Sequence, residues 1–456
     1  MTSDQHRRRQ QNLADAYGAV DDCLRVQFIR DYIPGQVTYN LGEYPARFRI
    51  APTEYDAELL ATFAGYGVGL IQVHEEWNDS QRVLGADKLT SHDPEGLHEF
   101  VGLVHSLGMK IIPYASTGFF DIKDPDFREE WYDPGRSRLI EMYFDYAHCS
   151  AASPSWRAYI LPRFERILDD YGFDGLYDDL GYHKGFEDQA VPEGQVRPAP
   201  YPHAALEDLL ALVMDMCHER GGILKCHGSP PEVMANARTY DYLWVGEGVK
   251  DLGGMRLDSR GLAPYVSPCP DMSRAEVVNE ADLYLHTIPY LQFPLRVDGR
   301  PMTGERGFVP GLVYKPAEKD FWTRHCLAIW EHYRAHPEGP YAYGMWDSAI
   351  GRPDARRIWL EHLDLYRPMV ANGGRAWLQV REGRLFDRRV PADVTASLFV
   401  NTEMYLALAN YGERAETLNS CWEWQDRRTD ERGRTWTVEP RELRLLIRTD
   451  RPSEGA

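Results

Sequence analysis

The chain has 456 residues, of which 43% are hydrophobic and 27% charged, a composition typical of a globular protein. Its formal net charge of −19 would repel a phosphate backbone, so we expect no nucleic-acid partner. No window approaches the apolar length needed to span a membrane, and the length favours two domains.

The first residues carry a basic cluster with no apolar segment behind it. We therefore predict that residues 1–23 are an N-terminal extension and that the protein is cytoplasmic. The seven cysteines are scattered and show no CxxC spacing, which favours neither a disulfide framework nor a structural zinc site. We expect no metal and no cofactor.

Residues 24–374 alternate short β-rich runs with helix-period segments, as βα units around a parallel sheet do. In the clearest unit, Thr53 and Asp56 have capping-box spacing, Gly67 ends the helix, and residues 68–77 follow as a strand. Similar helix starts at Asp93 and Ser153 repeat the pattern, which makes the alternation regular.

Eight extended runs predict a (β/α)₈ TIM barrel, because no glycine-rich phosphate turn follows the first run, as a doubly wound sheet would require. The eight runs are residues 24–33, 68–77, 109–118, 172–182, 221–228, 241–248, 288–297 and 341–347. Short alternating runs without helices then predict a small antiparallel β-sandwich over residues 375–456. Long irregular stretches at residues 185–202 and 250–274 are predicted to be functional loops.

Barrel active sites lie at the carboxyl ends of the strands, so the polar residues there are the candidates for catalysis and substrate binding. Side-chain alternation directs Tyr177 and Asp179 toward the barrel axis, whereas the orientation of Glu247 stays open. Cleavage of a glycosidic bond needs a carboxylate and a carboxylic acid. We assign Asp179 as the nucleophile and Glu247, between two glycines near Trp244, as the acid/base in a drier pocket.

The other strand-end polar and aromatic side chains are candidates for substrate binding. They are His74, Glu76, Trp77, Tyr114, Asp178, Lys225, His227, Arg296, Trp346 and Asp347. For each there is an ordinary structural alternative: a carboxylate can cap a loop, a histidine or lysine can be a buried hydrogen-bonded side chain, and a tryptophan can be core.

The run GFDGLYDDLGY at residues 172–182 resembles the fourth-strand motif of retaining α-glycosidases of the α-galactosidase-like and α-amylase-like groups. In those groups an aspartate closing strand four is the nucleophile, which implies this role for Asp179. Their acid/base lies on the fifth or sixth strand, which implies Glu247, and their terminal β-sandwich resembles residues 375–450. The Lys-x-Asp of the first group is absent, and Tyr177 replaces the arginine of the second.

The sequence therefore predicts a glycoside hydrolase, retaining and acting on small glycosides or oligosaccharides, with a carbohydrate as its partner. One alternative is a metal-dependent amidohydrolase-type barrel, although the His-x-His that its metals need does not occur. Another is a carbohydrate-binding barrel without catalysis. Homo-oligomerisation stays open.

Overall fold

A computed structural model describes most of the chain. It covers residues 2–41, 49–74, 77–78, 89–91, 93–122, 124–133, 139–141, 144–179, 203–227, 239–246, 251–262, 265–269, 280–300 and 355–450. The chain starts with helix α1 (Ser3–Ala19), which continues directly into strand β1 (Val20–Phe28).

The barrel consists of eight parallel strands, which follow one another around the axis in chain order. They are β2 (Gly35–Asn40), β3 (Val68–Val73), β4 (Lys110–Ala115), β8 (Gly175–Asp179), β9 (Ile223–His227), β10 (Tyr242–Val245), β11 (Tyr265–Pro268) and β12 (Arg296–Gly299). Between the last two strands, the backbone N–H of Leu295 donates to the carbonyl of Pro268 at 2.7 Å. This bond links β11 and β12, the two edge strands of the eight-stranded sheet. The predicted TIM-like fold is thus confirmed.

Helices alternate with these strands and cover them on the outside. They are α2 (Glu54–Tyr66), α3 (Pro94–Ser106), α4 (Pro154–Asp170), α5 (His203–Glu219), α6 (Leu252–Ser259), α7 (Glu280–Thr287) and α8 (Ala355–Tyr366). Thr53 and Asp56 form the expected capping box of α2, and Gly67 ends it with a φ of 86°. Asp93 and Ser153 cap α3 and α4, each followed by proline, as the sequence predicts.

A small antiparallel sheet is inserted between β4 and α4, at the carboxyl end of the barrel. Its strands are β5 (Phe119–Asp121), β6 (Leu139–Glu141) and β7 (Phe144–His148), in the order β5-β7-β6. A 3₁₀ turn at Glu129–Trp131 brings Trp131 against Trp156 at the start of α4. The insertion therefore packs on the barrel through aromatic rings.

The prediction that residues 24–33 form the first barrel strand is wrong. Strand β1 instead pairs antiparallel with the C-terminal strand β13 (Arg375–Gly383), and the boundary expected at residue 24 falls inside it. The first barrel strand is β2, whose residues Gln36, Thr38 and Asn40 are polar but buried. Because the face of β2 toward the barrel axis is polar, the strand lacks the continuous apolar run that marks the other barrel strands in the sequence.

The prediction of the seventh strand at residues 288–297 is also wrong, because the seventh strand of the described barrel is β11 and residues 296–299 form its eighth strand, β12. Residues 288–290 form a 3₁₀ helix, and β11 lies with helix α6 in the stretch 250–274, where the sequence predicts a loop. Strands of four residues are too short for a periodic signal, and a short apolar run containing proline fits either a strand or a buried helical turn. The predicted strand at 341–347 and the predicted loop at 185–202 lie outside the described residues.

The C-terminal unit is antiparallel, as predicted, and its strands belong to one hydrogen-bonded sheet that includes β1. Besides β13 the strands are β14 (Val394–Val400), β15 (Met404–Asn410), β16 (Glu416–Asp426), β17 (Arg432–Val438) and β18 (Leu443–Arg448), in the order β1-β13-β14-β15-β18-β16-β17. The run at residues 384–390 is not a strand; its contribution is a single bridge from Phe386 to Ser420.

Among the residues that the structure describes, apolar side chains form three buried clusters. One lies between the barrel strands and the surrounding helices, the second packs the C-terminal sheet against α1, and the third fills the barrel axis. Within the part of the chain that the structure describes, no helix has the length and apolar character required to cross a bilayer.

Candidate active site

Asp179 is the last residue of β8 and faces the mouth of the barrel. The alternation along β8 is as predicted, because Leu176 packs in the cluster under the helices and Tyr177 in the axial cluster. The hydroxyl of Tyr114 donates to Oδ2 of Asp179 at 2.9 Å, and Nδ1 of His227 lies 3.3 Å from Oδ1. About a quarter of the Asp179 side chain is exposed, 26%. A carboxylate is thus oriented and accessible at the carboxyl end of strand four.

Asp178, its neighbour, points away from the axis and is fully buried. The backbone N–H of Thr117 donates to Oδ1 at 2.8 Å, and the Thr117 hydroxyl contacts Oδ2 at 2.9 Å. Burial, with the nearby Asp179 charge adding to it, raises the pKa of Asp178 to about 8 against the effect of these bonds. The structure therefore gives Asp178 a role in holding the end of β4, whereas we had expected it to contact substrate.

Ser116 completes the connection between β4 and β8. Its hydroxyl donates to the backbone carbonyl of Asp179 at 2.6 Å and accepts from the N–H groups of Gly118 and Phe119. Together with the contact between Thr117 and Asp178, this fixes the backbone on which the Asp179 carboxylate stands. Side-chain pairing across elements of this kind has no sequence signature.

Aromatic rings pack below Asp179 around the axis. The ring of Trp244 lies 4.6 Å from Tyr177, 5.6 Å from His227 and 5.4 Å from His74, measured between centroids. Tyr114 contacts His74 and Tyr177 from the other side. His74 is almost completely buried, at 2% exposure, so its place is in the wall of the site and not in its opening. The packing fixes Tyr114 and His227, the two rings that hold Asp179.

Lys225 extends along the barrel axis away from the mouth. Its ammonium donates to Oε1 of Gln36 at 2.9 Å and lies 5.8 Å from the ring centroid of Trp244. The hydroxyl of Ser267 donates to the same Gln36 oxygen at 2.9 Å. Burial lowers the pKa of Lys225 to about 7. Gln36 and Ser267 were missed as interior residues, and the alternation in β2 was the signal that could have found Gln36.

Two further candidates lie away from the mouth. Trp77 is fully buried, donates from Nε1 to the carbonyl of Tyr114 at 2.9 Å, and packs edge-on against Tyr171 and Phe173. Arg296 begins β12 at the amino end of that strand, 3.6 Å from Asp298. The structure thus assigns the first to the core and the second to the opposite end of the barrel.

No protein-family model matches the sequence, and no curated protein matches it. Solved structures do match. A maltogenic α-amylase from Thermotoga neapolitana superposes with a TM-score of 0.55 at 12% identity, over 91% of this chain and 98% of that one. The trehalose-6-phosphate hydrolase of Bacillus licheniformis gives 0.54 at 11% identity, over 92% and 100%. An α-amylase from Geobacillus thermoleovorans, solved with acarbose, gives 0.53 at 9% identity, over 92% and 97%.

This chain has the fold of α-amylase-type glycoside hydrolases. At these identities the likeness concerns the fold, so the chemistry has to be argued from the site itself.

Four candidates, Glu76, Glu247, Trp346 and Asp347, lie outside the described residues. Strand β10, which leads to Glu247, directs Leu243 to the cluster under the helices and Trp244 to the axis. The orientation of the strand is thereby settled up to Val245. Among the described residues, no group of three or more His, Cys, Asp or Glu side chains has an arrangement that could hold a metal ion.

Proposed function

We propose that this protein is a retaining glycoside hydrolase in which Asp179 is the nucleophile and Glu247 the acid/base. The observation that carries the proposal is the Asp179 carboxylate, which is held by Tyr114 and His227 yet accessible at the carboxyl end of strand four. Barrel enzymes place their reacting groups at this end. The fold shared with α-amylase-type enzymes agrees with a carbohydrate substrate.

In the first step an oxygen of Asp179 attacks the anomeric carbon while the bond from that carbon to the leaving oxygen breaks. The leaving oxygen takes the proton of the Glu247 carboxylic acid. Water then attacks the same carbon, gives a proton to Glu247 and releases Asp179 as a carboxylate. Two inversions at one carbon retain its configuration.

Neighbouring charges suit Asp179 for this role. Asp178 is neutral below about pH 8, so the adjacent carboxyl adds no negative charge to repel the Asp179 carboxylate. The rigid contacts from β4 and β9 hold the carboxylate in one orientation before substrate binds. Preorganisation of this kind lowers the cost of reaching the transition state.

The test is a screen of aryl α- and β-glycosides with the parent protein, Asp179→Asn, Glu247→Gln and the surface control Asp169→Asn. We expect Asp179→Asn to lower kcat/KM at least about a thousandfold. The control, which removes a carboxylate paired with Arg220 on the outside of α4, should keep parental activity.

The Asp179→Ala variant adds a more specific measurement. With azide present, a small anion can occupy the space of the missing carboxylate and give a glycosyl azide of inverted configuration. Parental activity in Asp179→Asn would refute the nucleophile assignment. Saturable binding of oligosaccharide without hydrolysis by the parent would indicate a carbohydrate-binding barrel.

A further inference from the structure

Three exposed apolar side chains lie together at one edge of the C-terminal sheet. Among the residues that the structure describes, seven large hydrophobic side chains are exposed, and Tyr17, Val26 and Phe28 are three of them. Val26 of β1 is paired with Trp377 of β13, and the ring of Tyr17 packs edge-on against Trp377 with 5.1 Å between the centroids. Phe28 lies two residues further along the same face of β1. We call these three residues the β1 patch; contiguous exposed apolar side chains mark interaction surfaces.

Strand β1, which carries two of these residues, is an edge strand. It is the first strand in the order of the C-terminal sheet, and β13 is its neighbour on one side. The backbone of Ile29 bonds Gly373 and Gly374, so the odd-numbered residues of this half of β1 direct N–H and C=O toward β13. The backbone groups of Leu24 and Val26 therefore face the open edge, where no other described strand pairs with β1. Such an edge is a template for a further strand.

We propose that a second copy of this chain docks at this edge, with the two β1 strands antiparallel about a two-fold axis at Val26. Both copies then use the same residues, as a two-fold interface requires. In this register each Val26 lies opposite its counterpart, and Leu24 of each copy lies opposite Phe28 of the other. The apolar face of β1 continues across both strands, and the two C-terminal sheets join into one.

The charges along β1 match in the same arrangement. The register places Asp22 of one copy opposite Arg30 of the other, twice by symmetry. The Arg30 side chain is 77% exposed and the Asp22 side chain 47% exposed, and their contacts within one chain, to Asp31 and Arg381, are long at 3.3 and 3.5 Å. The Tyr265 hydroxyl bonds the backbone of Arg30 and leaves its guanidinium at the surface. The strand thus supplies its own complement in both apolar and charged residues.

The first experiment measures the dissociation constant of the dimer by sedimentation velocity, at about 1 to 100 μM protein, for the parent, Val26→Lys and Leu212→Lys. Lysine at position 26 sets two like charges against each other at the axis, so Val26→Lys should raise Kd at least about tenfold. Leu212, exposed on α5, takes the same change of charge away from β1 and should keep the parental Kd. A parent that stays monomeric throughout, or equal Kd values in the two variants, would overturn the proposal.

The second experiment tests the register by exchanging charges and does not depend on catalysis. Asp22→Arg and Arg30→Asp should each raise Kd about fivefold, because each sets like charges opposite one another. The double variant restores opposite charges at both places and should return Kd to within about twofold of the parent value. Thermal unfolding of each variant checks that the fold is kept. A double variant that associates no better than the two single variants would refute the pairing centred on Val26.

Discussion

Asp178 and Asp179 are adjacent in sequence and have opposite environments. One is enclosed behind the strand and bound by Thr117, and the other faces the mouth with Tyr114 and His227 as partners. Burial keeps the proton on the first acid. At neutral pH the buried member of the pair therefore carries no charge.

This arrangement predicts a pH-dependent stability that Asp178→Asn removes. The pKa of Asp178 is raised from 3.8 to about 8 in the folded protein, so between these values the folded chain keeps a proton that the unfolded chain releases. The free energy of unfolding of the parent should therefore fall as pH rises through that window, by up to about 1.4 kcal/mol per pH unit.

Urea unfolding of the parent and of Asp178→Asn at pH 5, 6, 7 and 8 tests this prediction. As pH rises, the free energy of unfolding of the parent should fall relative to that of Asp178→Asn. Asp169→Asn, on the surface, should show no such trend. A difference that stays constant from pH 5 to 8 would show that Asp178 is ionised throughout.

Lys225 gives the second residue-scale prediction. Its pKa falls from 10.5 to about 7 on burial, so the unfolded chain binds more protons between these values and the parent gains stability as pH rises through them. Lys225→Met should be as stable as the parent or more so at pH 7, because it removes a buried charge while Ser267 still donates to Gln36.

Because the parent gains stability as pH rises, the free energy of unfolding of Lys225→Met should exceed that of the parent by less at pH 10 than at pH 7, as measured by chemical denaturation. Because the ammonium points away from the mouth, KM for the glycoside should stay within about twofold of the parent value. A large increase in KM would mean that Lys225 touches substrate, as the sequence had suggested.

Among the elements, helices that begin at a recognisable capping residue could be predicted from the sequence, whereas two of the barrel strands could not. Thr53, Asp93 and Ser153 each cap a helix at the expected position. The alternation in β2 was missed because its inner face, with Gln36, Thr38 and Asn40, is polar, and the four-residue strand β11 is too short for a periodic pattern. Local sequence had the same limit at the site. The alternation of side chains along β8 predicted the direction of Asp179, but the contacts of Asp178 are made by Thr117, which follows β4 and which the sequence around Asp178 does not specify.

Gly175, which begins β8, provides a prediction for this element. Its φ is +131°, and an added Cβ would lie 1.8 Å from the carbonyl oxygen of Ile223 on the neighbouring strand. Backbone atoms of β9 cannot move without disturbing Lys225 and His227. Gly175→Ala should therefore destabilise the protein by more than about 3 kcal/mol, measured by urea unfolding.

The matched control is Gly65→Ala in helix α2, where an added Cβ meets no atom within 4 Å. We expect it to stabilise by about 0.5 to 1 kcal/mol, since alanine favours helix over glycine. Equal effects of the two substitutions would mean that β8 and β9 are not as closely spaced as described.

For the whole molecule, the N-terminal segment belongs structurally to the C-terminal sheet. Helix α1 packs on that sheet, and Asn12 donates from Nδ2 to the carbonyls of Asn401 and Thr402 at 3.1 and 3.0 Å. Strand β1 continues the same attachment through β13. The two ends of the chain thus enclose the barrel sequence between them.

Asn12→Ala tests whether this attachment supports the whole protein. The substitution leaves two carbonyls beside a buried site without their donor and should cost about 1 to 3 kcal/mol. Gln11→Ala, on the exposed side of α1, is the control and should change stability by less than about 0.5 kcal/mol. Thermal unfolding should show one transition in both variants; a separate early transition in Asn12→Ala would indicate that the terminal sheet melts independently of the barrel.

The pairing of β1 with β13 also has a consequence for synthesis. Residues 20–28 leave the ribosome before the barrel does, and their partner, residues 375–383, is translated more than three hundred positions later. The nascent chain must carry an unpaired, partly apolar strand while the barrel is assembled, and such edges favour association with other chains. We expect prematurely terminated translation products to be captured by chaperones or to aggregate, because β1 is made before the barrel and its partner β13 only after it.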